Sequence, residues 1–230
     1  MRDAYNQIQS QLNPKFFEFG KLKPVIAEKS LDVAAFFAHM IDLNPDLVED
    51  IVVTGSNTGF DYRDSSDFDI HLVVDKDQLN CDEEFVDEFF RLAKKNFDTE
   101  HDVTFYGVPV ELYVEDVNDS PPAGAGRYSL FENEWLQKPT KDLPDENSSE
   151  VQMKVRTLSN EVDDLIADRV DVSHMKKMSD KIRHMRTKGL SRSGMSSVDN
   201  LIFKALRNNG TLQKIKNYIT FRTDRELSLF

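Results

Sequence analysis

The stretch Ile51-Val52-Val53-Thr54-Gly55-Ser56, followed after ten residues by Asp67-Phe68-Asp69-Ile70-His71-Leu72-Val73-Val74, decides how the chain is read. It spells a strand, a Gly-Ser turn, a loop, and a second strand that opens on two carboxylates one residue apart. Alternate residues of a strand share a face. Asp67 and Asp69 therefore point one way, while Phe68, Ile70 and Leu72 point the other, into a core. Two carboxylates roughly 7 Å apart on one face repel each other unless cations sit between them. Two divalent ions about 3.5–4 Å apart fit that geometry, as in in-line phosphoryl transfer.

Outward from this stretch, a helical pattern precedes it and another follows. Val33, Phe36, Phe37, Met40 and Ile41 fall at helical spacing, with Ser30 as the N-cap and Asn44-Pro45 as the stop. Residues 82–97 spell an amphipathic helix with Phe85, Phe89, Leu92 and Phe97 toward the core. Residues 103–114 read as two strands joined near Tyr106-Gly107, with Pro109 at an edge or bulge. On the second of these strands Val110, Leu112 and Val114 share one face, and Glu111, Tyr113 and Glu115 the other. Glu111 is thus a third strand carboxylate in an apolar setting.

Residues 1–29 form an arm broken by Pro14 and Pro24. Residues 117–148, with Pro121-Pro122, Gly124, Gly126, Pro139 and Pro144, read as a linker held to the first domain by Tyr128, Leu130, Phe131 and Trp135. Beyond it the chain is helical. Two helices are expected over 149–188, ended by Gly189, with a loop at Ser191-Arg192-Ser193-Gly194. A third is expected over 197–208 and a short last one carries Leu212, Ile215, Tyr218 and Ile219.

The 230 residues suit one large domain or two small ones, and 16 Phe suffice for a core. A net charge of −12 argues against a protein that merely coats nucleic acid. The charge is uneven: residues 1–150 carry 13 Lys+Arg against 32 Asp+Glu, net −19, and the remainder nets +7. The single Cys81 excludes a disulfide framework and a Cys-based zinc site. No apolar run reaches membrane-spanning length, and the N-terminal residues lack a signal peptide's apolar stretch, so a soluble cytoplasmic protein is expected.

Gly55-Ser56, the ten-residue interval, Asp67-Phe68-Asp69-Ile70 and Glu111 between Val110 and Leu112 resemble the pattern of the polymerase β-type nucleotidyltransferase superfamily. Thr54 departs from it, standing where an apolar residue is usual. The resemblance implies an α+β fold, a mixed sheet flanked by helices. It implies a catalytic domain over 1–145 with its core at about 30–116, and a helical C-terminal domain over 149–230 follows from the helical pattern. It also implies transfer of a nucleoside monophosphate from an NTP to a hydroxyl, with release of pyrophosphate. Asp67, Asp69 and Glu111 would hold two Mg²⁺ (or Mn²⁺) ions, and Gly55 and Ser56 would meet the triphosphate, while Ser66 shapes the turn or, as the second reading, contacts a phosphate. An Asp-x-Asp alone is common and often merely caps a loop; the turn at the right spacing and the third acid favour the transferase.

Smaller features have two readings each. His71, on the Asp67/Asp69 face, is a hydrogen-bonded structural histidine or a proton shuttle. Tyr113 and Trp135 pack, or stack a base. Between residues 176 and 192 lie seven cations, among them Lys181, Arg183 and Arg186, with Asp180 the only acid. They form a solvated helix face, or a clamp for the triphosphate or for an RNA, tRNA or protein acceptor. Leu12-Asn13-Pro14, Leu22-Lys23-Pro24, Val53-Thr54-Gly55-Ser56-Asn57 and Asn200-Leu201-Ile202-Phe203-Lys204 are similar to strings in predicted nucleotidyltransferases of tailed bacteriophages, which implies an infected bacterial cytoplasm. The alternative is a non-catalytic nucleotide-binding or phage assembly protein that keeps the fold.

Overall fold

The computed structural model describes residues 8–79, 81–119, 121, 124–141, 148–194 and 197–229. The chain divides into two compact units, with the boundary between Lys141 and Asp142.

The first unit is built on a sheet. In chain order it has β1 (Phe17–Glu18), β2 (Lys21–Leu22), α1 (Pro24–Met40), β3 (Val48–Thr54), β4 (Phe68–Val74), α2 (Glu83–Glu100), β5 (Thr104–Phe105), β6 (Val108–Asp116), β7 (Arg127–Ser129) and β8 (Glu134–Gln137). Six strands lie in the order β5-β6-β4-β3-β7-β8. The sheet is mixed: β4 and β6 run parallel, and the other neighbours are antiparallel. A parallel pair needs a long crossover, and α2 lies within it.

Pleat and register sort the side chains. On the core face, Phe68, Ile70 and Leu72 of β4 are the Cα partners of Val110, Leu112 and Val114 of β6. Phe68, Ile70 and Leu112 are fully buried. Helices α1 and α2 pack there, Phe37 against Phe97 with ring centroids 5.6 Å apart. The opposite face carries Asp69 beside Glu111, His71 beside Tyr113, and Val73 beside Glu115.

Several expectations about helices are corrected. Helix α1 begins at Pro24, six residues before Ser30, because a proline suits the first turn, where its missing N–H costs nothing. Ser30 lies buried inside the helix and its hydroxyl donates to the Ile26 carbonyl at 2.7 Å. Helix α2 is N-capped by Asp82, whose carboxylate accepts from the Phe85 N–H. It buries Val86, Phe90 and Phe97, while Phe85 is 65% exposed and Phe89 43%. Two adjacent stripes on this helix are both apolar, and periodicity does not choose between them.

The segment read as a linker contributes two strands. β7 pairs with β3 and β8 with β7. Tyr128 is fully buried. Trp135 stacks on Phe17 at 5.4 Å and donates from Nε1 to the Gly20 carbonyl at 2.7 Å. Strands this short, set among Pro and Gly, give little periodic signal. Pro122 and Pro144 lie outside the described residues.

The second unit contains α3 (Ser149–Ala167), α4 (Val172–Ser193), α5 (Val198–Asn208) and α6 (Thr211–Leu227). Its core gathers Val151, Leu158, Val162, Met175, Ile182, Leu206 and Ile215. Gly189 does not end α4: the helix runs on through the expected loop to Gly194, the C-cap, at φ +63°. A Cβ on Gly189 would lie 2.6 Å from Asp199 Cβ and 2.7 Å from Ser197 Oγ, so this glycine admits the start of α5. α6 is a full 17-residue helix. Among the described residues no helix is long and apolar enough to cross a membrane.

Candidate functional site

The candidate site lies where β3, β4 and β6 bring their polar positions together. Thr54 and Asp69 are register partners, and so are Asp69 and Glu111. Three adjacent strands thereby place the Gly-Ser turn, Asp69 and Glu111 side by side, with Asp67 one residue ahead of β4. Asp69 and Glu111 lie on one face of the sheet, as expected, whereas Asp67 precedes the strand and has no register partner.

Gly55 is required by two features. Its φ of +80° and ψ of −167° fall in a region essentially reserved for glycine. A Cβ built on it would overlap the Asp69 carboxylate. The Asp69 carboxylate is therefore seated against the backbone of the turn. Thr54, the departure from the family pattern, has a local explanation: its hydroxyl donates to the Gly126 carbonyl at 2.9 Å. Thr58 donates to the same carbonyl at 3.0 Å and to Gly55 O at 2.7 Å. The turn is thus tied to the segment leading into β7.

Ser56 is half-buried at the start of a 3-10 turn over Ser56–Thr58. Ser66 shapes its loop: its Oγ accepts from the Arg63 N–H at 3.0 Å, and its own N–H donates to Arg63 O at 3.0 Å. Asn57, which sequence reasoning did not single out, holds the loop in place. Its amide donates to the carbonyls of Ser66 at 3.2 Å and Asp67 at 2.7 Å. Its Oδ1 accepts from Asn13 at 2.7 Å, and both asparagines are buried. Both sit in strings that carry the resemblance, and that was the available signal.

Around Glu111 the structure adds two further residues. Lys94 of α2 lies 3.1 Å from its Oε2, and 2.7 Å from Asp98. The Tyr113 hydroxyl donates to the same Glu111 oxygen. Lys94 Nζ also sits over the Tyr113 ring, 4.6 Å from its centroid. Burial, and then the Glu111 carboxylate, push the Tyr113 hydroxyl far above its ordinary pKa. Burial works against the Lys94 charge, but Asp98 and Glu111 outweigh it and its pKa is raised. A lysine on an amphipathic helix reads as solvated, and the reach of Lys94 to Glu111 has no signature in periodicity.

Farther along the same face, His71 Nδ1 lies 2.7 Å from Glu115 Oε2. Arg127 of β7 pairs with the other oxygen. Burial tends to raise the Glu115 pKa, but the bonds from His71 and Arg127 prevail and lower it. His71 is accordingly held in a structural network, as is Tyr113.

The donors suit a hard divalent cation, being carboxylate oxygens on one face of adjacent strands. Among the described residues, however, no three His, Cys, Asp or Glu side chains are grouped so as to hold a metal ion. Lys181, Arg183 and Arg186 belong to α4 in the helical unit. There Lys181 pairs with Glu161 at 2.7 Å, and Arg186 lies over the Phe203 ring at 4.6 Å.

No protein-family model matches the chain, and no curated protein matches it in sequence. Among solved structures it is similar to the STING-associated CdnE c-di-GMP synthase from Capnocytophaga granulosa. That likeness is 14% sequence identity over 89% of this chain and 84% of that chain, with a TM-score of 0.24. A likeness at that level carries nothing about chemistry, which rests on this chain's own residues.

Proposed function

We propose that the chain is a metal-dependent nucleotidyltransferase that moves a nucleoside monophosphate from an NTP to a hydroxyl and releases pyrophosphate. One observation carries the reading: the Asp69 carboxylate is seated against Gly55 and set in register with Glu111. In this reading Asp67, Asp69 and Glu111, which are not gathered into a metal-holding group in this structure, would draw together around Mg²⁺, which when bound would neutralise the phosphates and activate the attacking hydroxyl. The Gly55-Ser56 turn lets backbone N–H groups and the Ser56 hydroxyl donate to phosphate oxygens. In this reading Glu111 would also accept the acceptor's proton. Lys94 supplies positive charge beside it while Asp98 anchors the ammonium. In this proposal Arg183 and Arg186 of the helical unit are offered to a phosphate-bearing acceptor, and Lys181, paired with Glu161, would join them only on leaving that partner.

The test incubates the protein with each labelled NTP, Mg²⁺ or Mn²⁺ and bacterial RNA or lysate, beside Asp67→Asn and Asp69→Asn variants. Transfer of label that is lost in both variants supports the proposal. Absence of both nucleotide and metal binding in the wild type overturns it. A second reading, a nucleotide-binding protein without catalysis, is favoured by the engagement of Glu111 with Lys94 and Tyr113. Binding without transfer would select it.

A further inference from the structure

A cavity of about 490 Å³ opens in the helical unit between α4, α5 and α6. That size suits one small organic ligand, for which about 300–1,000 Å³ is usual. Its floor is apolar: Ile182 and Ile215 are buried. Phe203 is half-buried at its wall, and the Arg186 guanidinium over that ring helps hold it in place.

The rim has a different character. Arg183, Arg207 and Lys216 are exposed around the opening, and among the described residues no acid lines it. Their neighbours are neutralised: Lys181 pairs with Glu161 at 2.7 Å and Lys214 with Asp163 at 2.6 Å. Among the described residues, Arg183, Arg207 and Lys216 have no carboxylate partner. Cations left without acids around an apolar, aromatic-walled cavity select an anion with a ring attached. A bare phosphate has no use for the floor, and a purely apolar ligand has none for the rim.

We propose that this cavity binds a nucleoside phosphate, with its base against Phe203 and its phosphate between Arg183, Arg207 and Lys216. Aromatic stacking supplies sequence-tolerant affinity for a base, and the guanidinium groups supply forked donors for phosphate. The site stands on the helical unit alone, independently of the carboxylates on the sheet.

The test uses the full chain carrying Asp69→Asn, in EDTA, so that a metal-bound nucleotide on the sheet does not contribute. Isotope-labelled Ile methyl groups are followed by NMR during titration with AMP. Saturable shifts at Ile182, Ile215 and Ile219 are expected, and inorganic phosphate should bind more weakly at the same methyls. Arg207→Glu combined with Lys216→Glu should weaken AMP at least tenfold while the exposed positions leave the thermal midpoint unchanged. A five-nucleotide RNA that shifts the same methyls at lower concentration identifies the ligand as the end of a nucleic-acid chain. AMP as tight as the RNA identifies it as a free nucleotide, and either supports the site. No shift at these methyls, an affinity untouched by the charge reversals, or octyl phosphate binding as tightly as AMP overturns it. Label transfer by the wild type is measured separately, so failure here leaves the transferase proposal standing.

Discussion

Lys94 Nζ lies 3.1 Å from Glu111 Oε2, so the carboxylate that β6 presents at the candidate site is already paired with an ammonium from α2. Asp98, 2.7 Å from the same nitrogen, holds the lysine. A divalent ion bound by Glu111 has to share the carboxylate with this cation or displace it. Replacement of Lys94 by Met removes a like charge beside the metal position and should tighten Mn²⁺ binding about tenfold, or about 1.4 kcal/mol. Titration of the variant by calorimetry or Mn²⁺ electron paramagnetic resonance measures it. Unchanged affinity would mean that Glu111 is not a metal ligand.

Gly55 gives a sharper consequence. Alanine there meets a backbone conformation reserved for glycine and overlaps the Asp69 carboxylate. The backbone strain alone costs about 1–3 kcal/mol. Asp69 must also move, and a displacement of about 1 Å at a reacting centre costs about a hundredfold in rate. Gly55→Ala should therefore lower both urea stability and label transfer, with transfer falling by roughly a hundredfold or more in the fraction that remains folded.

The strand-turn-strand of β3 and β4 was legible because a buried sheet face enforces alternation, and Phe68-Asp69-Ile70-His71-Leu72 alternates without a break. Glu111 was legible for the same reason. Lys94 was not: a lysine about three turns into an amphipathic helix reads as solvated, and only the tertiary fold brings it to β6. β7 and β8 escaped notice because strands of three and four residues carry almost no period. The start of α1 was misjudged because Pro24 signals both a break and a first turn.

Asn57 links the turn to the loop that delivers Asp67. Alanine in its place leaves the Ser66 and Asp67 carbonyls without their amide donor and strands the buried Asn13 amide. Losing these bonds should cost about 2–4 kcal/mol. Asn13→Ala, which spares the bonds to the loop, should cost less, and the double variant should be less than additive because the two share a bond. Urea denaturation of the three variants reads the coupling; strict additivity would contradict the network.

Glu115 makes acid stability testable. Its folded pKa lies below the ordinary 4.5 because the His71 and Arg127 bonds outweigh burial. A carboxylate depressed in the folded state contributes stability that is fully present above pH 4.5. That stability is lost as the pH falls from 4.5 through the lowered folded value. Glu115→Gln removes this titration. Its urea midpoint should fall less steeply with acidification below pH 4.5 than the wild type's, and parallel profiles would show that the His71–Glu115–Arg127 network does not hold in solution.

Gly189 sets two effects against each other. Inside α4, alanine is favoured over glycine by about 1 kcal/mol through helix propensity. Its Cβ, however, would lie 2.6 Å from Asp199 Cβ, an atom fixed to the backbone of α5. Relief requires the start of α5 to move, and that helix is held by Ser197, whose Oγ accepts from the Asn200 N–H at 3.1 Å. Overpacking of this kind costs about 1–3 kcal/mol, so the clash should outweigh the propensity gain. Gly189→Ala is expected to lower the thermal midpoint, and Gly189→Ser to lower it further. The control is Thr187→Ala, at an exposed position of the same helix, which should leave the midpoint nearly unchanged. A rise in midpoint for Gly189→Ala would mean that α5 yields freely, and that Gly189 is a tolerated break in the helix with no packing role.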